Sequence, residues 1–497
     1  MGKGEIELSD KPFDSTKILY IIVLALGILF RLGSYIQDRT LWYDEAMLAS
    51  SVFQHGFTNL LEPLDYSQSA PVGFIFIVKV FVSVFGSSQY ILRLYSLISG
   101  IMAIWIFYLL LKEAGFKRPL IGAAFFATVQ PLFYYSTELK PYMQDTFLAL
   151  TAMYLFVLYS KNKLSPLVYM VFCFLSVWIS FPVIFVIGAI TGYNFFAAII
   201  KMIVYLVTRD REKQTITMKQ FLWAAVFGVC ALAGFGICYV VYTGNATSNI
   251  DEMSMEYWRH LKFPLFPEDS SDWDLMSLMT NNFLNFVFPG EFTAIAGGIL
   301  WIGGSLLLIK RRLELFFYGF LTVLLTLIAS SIGQYPMQDR ILLFLVPFEL
   351  IAIVCFAEVL IDLIRFKALE VIVFIGIIAL NIAILSYSDV NNIMRERQEA
   401  SNLINYLQNN IEDDEWLYVF PNAVPIYEYM TGYTHGYGHF PESVDEYERL
   451  IYGTKYWNLE CEPYIYKTTI DSKRLDSNVQ AIIKNPKVYI PFLSPGW

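Results

Sequence analysis

Long runs of apolar residues, separated by short polar segments, dominate the chain between residues 18 and 387. Most of these runs are about 18 to 24 residues long, and at about 1.5 Å per helical residue such a run matches the hydrocarbon core of a bilayer. The pattern therefore predicts about eleven transmembrane helices. Their predicted bounds are 18–36, 94–111, 119–135, 143–160, 164–180, 183–206, 220–242, 292–309, 313–331, 341–358 and 369–387.

The composition agrees with this pattern. Hydrophobic residues make up 56% of the chain and charged residues only 16%, and the mean hydropathy is +0.50, which is far more apolar than a soluble globular protein. The first run continues through Phe30, Arg31 and Leu32 without a small-residue cleavage site, which indicates a retained anchor rather than a signal peptide. The chain is predicted to be an α-helical polytopic membrane protein.

Basic residues in the loops set the predicted orientation. The run at 71–85 is short and contains Lys79, so we interpret it as an interfacial helix on the outer side. Every basic loop cluster then faces the cytoplasm, as the positive-inside tendency requires, and so does the N-terminus. These clusters are Lys112/Lys117/Arg118, Lys161/Lys163, Arg209/Arg211/Lys213, Lys310/Arg311/Arg312 and Arg365/Lys367.

This topology divides the chain into two predicted domains. Residues 1–387 form the membrane module, with external loops at 37–93 and 243–291. Residues 388–497 form a small extracytoplasmic α/β domain, possibly incomplete, with strands at 416–420 and 488–492 and helices near 397–409 and 425–430. This segment has 16 acidic and 9 basic residues, a net charge of −7, which argues against nucleic-acid binding.

Two adjacent carboxylates follow the first span. Asp44 and Glu45 open a short amphipathic stretch of the first external loop, whose apolar residues can enter the head-group region while the acids face outward. Capping of an interfacial helix would also explain two acids at this position.

A second polar cluster, FYYSTELKPYMQD, follows the third span on the same predicted side. If a helix continues past Pro141, then Glu138, Tyr142 and Asp145 share one helical face. Lys140 adds a cation beside them, although it also fits an ordinary snorkelling lysine.

A third cluster, GQYPMQDRILLFLVPFE, lies at the outer entrance to the tenth span. Tyr335 and Pro336 predict an extended or turned approach, which would hold Arg340 at the start of an apolar helix. At this position Arg340 would face phosphate or simply anchor to head groups.

Together these residue types suit one chemistry. A carboxylate can remove a proton from an acceptor hydroxyl as the oxygen attacks an anomeric carbon. Lysine and arginine can neutralise a departing phosphate, and the arginine fork matches two phosphate oxygens. The chain has no GxxxxGK[ST] or GxGxxG loop, so the bond of a lipid-phosphate sugar, rather than a nucleotide, would drive the transfer.

At these residues the chain resembles the GT-C superfamily of membrane glycosyltransferases, in particular protein O-mannosyltransferases and aminoarabinose transferases that use polyprenyl-phosphate sugars. The resemblance covers roughly residues 18–360 and rests on LWYDEA, on the run from Ala70 to Gly100, on YSTELKPYM and on YPMQDRILLFLVP. It departs from some relatives at Ala70, where they carry a lysine before the proline of the interfacial helix.

The resemblance implies an inverting transfer from a polyprenyl-phosphate-linked sugar to a hydroxyl of a glycan, lipid or protein on the outer face of the cytoplasmic membrane. It implies roles for seven residues. Asp44 and the adjacent Glu45 would be catalytic, Arg340 and Lys140 would bind the donor phosphate, and Glu138, Tyr142 and Tyr335 would bind substrate. Asp145 shares the predicted helical face of Glu138 and Tyr142, so we expect it to bind substrate as well.

Some relatives use a divalent metal, so a metal cofactor is possible, but no metal-ligand set is predicted. The four histidines, His55, His260, His435 and His439, show no convincing ligand spacing. No nucleotide cofactor is expected.

Two other functions compete with the enzyme. A transporter or lipid flippase would favour internal repeats and polar residues near the midplane, whereas these candidate residues concentrate at one surface. A catalytically silent scaffold with an external binding domain is the third hypothesis.

Overall fold

The structure is a computed structural model that describes residues 15–37, 39–244, 261–364 and 369–387, together with residues 409, 416–417, 426 and 488–489. Within these ranges the chain is almost entirely helical. The helices are α1 (Ser15–Ile36), α2 (Tyr43–Gln54), α3 (Val72–Phe85), α4 (Gln89–Glu113), α5 (Pro119–Thr128), α6 (Gln130–Tyr134), α7 (Tyr142–Ser160), α8 (Pro166–Ser176), α9 (Val183–Thr208), α10 (Arg211–Cys238), α11 (Ser270–Val287), α12 (Glu291–Arg311), α13 (Leu313–Ser331), α14 (Val346–Ile364) and α15 (Leu369–Tyr387).

Shorter elements connect or extend these helices. Four 3₁₀ turns lie at Asn59–Leu61, Asp65–Ser67, Tyr135–Thr137 and Asp339–Leu345, and a π-helical turn at Tyr239–Thr243 extends α10.

The prediction of a helical membrane protein is confirmed, since all eleven predicted spans are largely helical. Within the described ranges, seven helical stretches are long and apolar enough to cross a bilayer, by length and composition: 19–36, 89–113, 183–208, 211–243, 291–311, 313–331 and 339–364. The other four predicted spans correspond to α5 with α6, α7, α8 and α15. The full count of eleven stays a prediction.

Two of the predicted spans are interrupted. The span predicted at 119–135 is broken at Val129, which is extended (φ −63°, ψ 123°), and Pro131 follows in the first turn of α6. The span predicted at 341–358 opens as the 3₁₀ turn Asp339–Leu345 and becomes α-helical at Val346.

The predicted interfacial helix is α3, whose 14 residues reach about 21 Å, too short for an upright span.

Ion pairs join several helix ends on one side of the bundle. Glu113 at the end of α4 pairs with Lys163 at 2.8 Å and with Lys161 at 3.4 Å. Arg118 before α5 pairs with Asp362 of α14 at 2.9 Å. These contacts bring three of the predicted cytoplasmic loops together, as alternating spans require.

Backbone contacts join loops on the opposite side. The Tyr242 hydroxyl donates to the carbonyl of Ala70 at 3.0 Å, and the Gly73 amide donates to the carbonyl of Trp178 at 2.8 Å. All four residues belong to predicted external segments or to their borders. The first external loop is therefore packed onto the ends of α8 and α10.

Close helix packing supports this arrangement. A side chain added at Gly304 of α12 would clash with the Ala352 carbonyl of α14. Small residues that let two backbones approach are typical of helix interfaces in membranes.

The C-terminal segment is described at only a few residues. Trp416–Leu417 (β1) and Val488–Tyr489 (β2) pair in parallel, with Trp416 opposite Val488. Both pairs of residues fall at the start of a predicted strand. The remainder of the predicted α/β domain, including most of its helices, lies outside the described residues.

Candidate active site

The first carboxylate pair lies in the first turn of α2. Trp42 caps this helix in an extended conformation (φ −82°, ψ 169°), and its backbone amide donates to Oε2 of Glu45 at 3.3 Å. Acids in the first turn also complement the positive end of the helix dipole. Local sequence therefore explains why α2 begins here.

Glu45 is fully buried, and protein groups bind both of its carboxylate oxygens. Arg93 donates from Nε to Oε1 at 2.8 Å and from Nη2 to Oε2 at 2.5 Å, and the Leu139 amide donates to Oε1 at 2.6 Å. Burial acts to raise the pKa of Glu45, but the Arg93 charge and these hydrogen bonds outweigh burial and lower the pKa. Protein groups therefore occupy both carboxylate oxygens of Glu45, which suits a role in holding the loop in place, and a catalytic role for Glu45 stays a prediction.

Further contacts hold the first external loop against the turn before α7. Arg93 donates from Nη1 to the Arg39 carbonyl at 2.6 Å, and Arg39 donates from Nη2 to Oγ1 of Thr137 at 2.9 Å. Ser34 of α1 shares a 3.0 Å hydrogen bond with the same threonine hydroxyl. The loop that carries Asp44 is thus fixed to α1, to α4 and to the Tyr135–Thr137 turn.

Asp44 keeps 21% of its side chain exposed and contacts two cations. Its Oδ2 accepts a hydrogen bond from Nη2 of Arg340 at 3.3 Å and lies 3.9 Å from Nζ of Lys140. These three residues are remote in sequence and come from three different loops. The structure therefore brings together the carboxylate and the two cations that the sequence singles out.

Arg340 lies in the 3₁₀ turn that opens the tenth predicted span. Its guanidinium carbon is 5.4 Å from the centre of the Trp42 ring, which is within cation–π range. Tyr142 and Glu138 are close enough to interact with it electrostatically. Its Nε has no hydrogen-bond partner among the residues that the structure describes, so the guanidinium retains an unused donor.

Lys140 is buried and donates from Nζ to Oε1 of Gln68 at 2.8 Å. Burial lowers the pKa of Lys140, and Arg340 adds to this effect, whereas Asp44 opposes it. Gln68 in turn donates to Sδ of Met47 in α2 at 3.1 Å. The Gln68 contact was not predicted, because a single glutamine in a loop carries no periodic or motif signal.

The predicted helical face of the second cluster is wrong at Glu138. Helix α7 begins only at Tyr142, after Pro141, and Glu138 is extended (φ −120°, ψ 146°). The Glu138 side chain is buried and interacts electrostatically with Lys140 and Arg340. Tyr142 and Asp145 remain on one face of α7.

Tyr335 supports the approach to Arg340. Its hydroxyl donates to the Ile341 carbonyl at 3.1 Å, and its ring packs edge-on against Phe185 at 5.3 Å. It also interacts electrostatically with Asp145 and Tyr142. Tyr335 therefore shapes the turn that carries Arg340, and substrate binding by Tyr335 stays a prediction.

Across the described residues, no three His, Cys, Asp or Glu side chains lie together in a way that suits a metal ion. His55 instead contacts Asp65 at 3.0 Å. His260, His435 and His439 lie outside the described residues.

No protein-family model matches the chain, and no curated protein matches it in sequence. Solved structures do match. The chain is 16% identical to an Archaeoglobus fulgidus oligosaccharyltransferase tethered to an acceptor peptide, over 83% of this chain and 63% of that one, with a TM-score of 0.46. It is 11% identical to ArnT from Cupriavidus metallidurans bound to undecaprenyl phosphate, over 83% of this chain and 84% of that one, with a TM-score of 0.48.

These two proteins are GT-C glycosyltransferases, the superfamily that the sequence motifs resemble. The chain spans only 63% of the length of the oligosaccharyltransferase. With TM-scores below 0.5, the two matches say nothing about the chemistry of this chain.

Proposed function

We propose that this protein is an inverting glycosyltransferase that moves a sugar from a polyprenyl-phosphate donor to a hydroxyl acceptor. The observation that carries the proposal is the cluster of one partly exposed carboxylate, Asp44, with Arg340 at 3.3 Å and Lys140 at 3.9 Å. A base beside two cations is what transfer from a phosphate ester requires.

The reaction is a single displacement. The acceptor hydroxyl gives its proton to Asp44 while its oxygen bonds to the anomeric carbon of the sugar. The bond between that carbon and the phosphate oxygen breaks, and its electron pair leaves with polyprenyl phosphate. Arg340 and Lys140 neutralise the charge that develops on the phosphate, and Arg340 can use two parallel N–H groups for two phosphate oxygens.

The substrate-free ion pairs have a role in this scheme. Arg340 and Lys140 hold the Asp44 carboxylate in place before the donor binds. When the donor phosphate binds, both cations turn part of their interaction to the phosphate. The Asp44 carboxylate is then available to the acceptor hydroxyl.

The proposed partners follow from this chemistry. The donor is a polyprenyl-phosphate-linked sugar, since the two cations beside Asp44 suit a phosphate leaving group. The acceptor is a hydroxyl of a glycan, lipid or protein. We place the site on the outer face of the cytoplasmic membrane, with the N-terminus inside and the C-terminal segment outside, because the basic loops lie at the opposite end of the helices.

The test supplies purified protein in detergent or liposomes with a panel of labelled polyprenyl-phosphate sugars and with mixed glycan, lipid and peptide acceptors. We expect release of polyprenyl phosphate from one donor class and a product with inverted anomeric configuration. Asp44→Asn removes the base but keeps the shape of the side chain, so it should abolish most of the release. Asp274→Asn on α11, an exposed aspartate, is the matched control.

Two results would contradict the proposal. One is a retained anomeric configuration in the product, since a single displacement inverts. The other is the absence of release with every donor by protein that still binds plain polyprenyl phosphate, which would favour a lipid carrier instead.

A further inference from the structure

A second polar group lies deeper along the same face of α7. Tyr142 and Asp145 are three residues apart, so they share a helical face and are about 4.5 Å apart along the axis. Tyr142 interacts electrostatically with both Asp44 and Arg340. Asp145 therefore lies about one turn inward from the proposed catalytic residues.

Asp145 faces a buried hydroxyl from another loop. Ser180, in the connection between α8 and α9, interacts with the Asp145 carboxylate, and both residues are buried, with exposures of 0% and 5% respectively. In the part of the chain that the structure describes, Oδ1 of Asp145 has no hydrogen-bond partner of good geometry, and Oγ of Ser180 has none besides the Asp145 carboxylate.

The backbone around this pair is held in place. The Trp178 carbonyl, two residues before Ser180, accepts the amide of Gly73 at the start of α3. Tyr95 of α4 and Tyr335 also interact with the Asp145 carboxylate. Two tyrosines from different segments therefore lie within electrostatic range of Asp145.

Buried polar atoms without partners are rare in proteins, because each one costs the free energy of its lost hydration. A carboxylate oxygen accepts hydrogen bonds and a serine hydroxyl both donates and accepts. A ligand hydroxyl could donate to Asp145 and accept from Ser180, which would satisfy both atoms at once.

We infer that Asp145 and Ser180 form a subsite that binds a hydroxyl group of a saccharide, about one helical turn inward from Asp44 and Arg340. This inference rests on the proposed function and deepens it, because it names the groups that select the sugar. Both the donor sugar and a saccharide acceptor carry such hydroxyl groups, and the experiment shows which of the two occupies the subsite. A site built to hydrogen-bond a hydroxyl rejects a ligand that lacks it by a large factor.

The experiment uses the full-length protein and the polyprenyl-phosphate sugar that it consumes, together with deoxy analogues of that sugar and of the acceptor. Asp145→Asn and Ser180→Ala are compared with the parent and with Asp274→Asn and Ser83→Ala, since Asp274 and Ser83 are exposed. Three quantities are measured: kcat/KM for transfer, the rate of donor hydrolysis without acceptor, and the Kd for plain polyprenyl phosphate.

We expect the parent to discriminate against one deoxy analogue by about 100-fold or more and the two variants to lose most of that discrimination. If the subsite binds the donor sugar, the variants also slow donor hydrolysis. If it binds the acceptor, hydrolysis stays at the parent rate and only transfer changes. In both cases the Kd for polyprenyl phosphate stays at the parent value, which shows that the variants are folded.

If both variants discriminate between the sugar and its deoxy analogue as strongly as the parent does, the inference is overturned. The two atoms would then hydrogen-bond only to water. Equal losses for the sugar and all of its deoxy analogues would also overturn it, because they indicate a structural role. Failure of the parent to consume any donor would instead refute the proposed function, so the two failures are distinguishable.

Discussion

Replacing Arg340 by alanine removes the cation nearest to Asp44. Nη2 of Arg340 lies 3.3 Å from Oδ2 of Asp44, and Coulomb's law with an effective dielectric constant of about 20 gives an attraction of ~5 kcal/mol at that separation. A donor phosphate at a similar distance would gain a comparable attraction, much of which is offset by desolvation of both groups.

Loss of one such charged donor from an active site typically costs about 3 to 4 kcal/mol of transition-state stabilisation. We therefore expect Arg340→Ala to lower kcat/KM for sugar transfer by about 10²–10³-fold. Arg340→Lys keeps the charge but loses the planar fork, so its activity should be intermediate. The assay is release of labelled polyprenyl phosphate over a range of donor concentrations.

Arg211→Ala is the matched control, because Arg211 is an exposed arginine at the start of α10. It should have the kcat/KM of the parent. An Arg340→Ala variant with the kcat/KM of the parent would refute this role for Arg340. Equal losses of kcat in Arg340→Lys and Arg340→Ala, with donor affinity at the parent value in both, would refute it as well.

Three further predictions concern other parts of the structure. Because burial lowers the pKa of Lys140, the donor KM should rise as pH increases through that pKa and the lysine loses its charge. In Lys140→Arg the side chain stays charged, so the donor KM should not change over the same alkaline range. Identical plots of donor KM against pH for the two proteins would contradict this. Arg93→Ala leaves the buried Glu45 unpaired and should cost about 3–5 kcal/mol, seen as a lower midpoint of thermal unfolding in detergent, while an unchanged midpoint would refute the structural role. Gly304→Val should lower that midpoint by a clash with Ala352, and Gly376→Ala, which meets no atom within 4 Å, should not; equal midpoints would argue against this α12–α14 packing.

The lowered pKa of Glu45 also predicts a pH dependence of stability. A carboxylate whose pKa is lower in the folded state than in the unfolded state stabilises the fold above its unfolded pKa. That contribution is lost as pH falls through the folded value. In Glu45→Gln this acid-sensitive part of the unfolding curve should be absent.

Much of the fold could be predicted from the sequence, because membrane spans leave a strong signal. Each apolar run must satisfy its own backbone as a helix, so length and hydropathy are sufficient to locate it. Interruptions inside a run are harder to predict. The break at Val129 and the 3₁₀ opening at Asp339–Leu345 depend on tertiary packing as well as on nearby prolines.

The convergence of Asp44, Lys140 and Arg340 followed from topology, since loops assigned to one side of a membrane share a limited surface. The different surroundings of Asp44 and Glu45 did not follow. Two adjacent acids look alike in sequence, and only the positions of Arg93 and the Leu139 amide show that both carboxylate oxygens of Glu45 are hydrogen-bonded. The hydrogen bond between Lys140 and Gln68 and the approach of Ser180 to Asp145 likewise depend on loop geometry that carries no sequence period.

The most direct test of the account is the single-turnover rate of sugar transfer in Asp44→Asn that has been loaded with donor. Donor loading isolates the chemical step from binding. The account predicts that the variant binds donor, since Arg340 and Lys140 remain, but that the transfer step slows by about 10²–10⁴-fold because the base is lost. Transfer at the parent rate by donor-loaded Asp44→Asn would contradict the central claim.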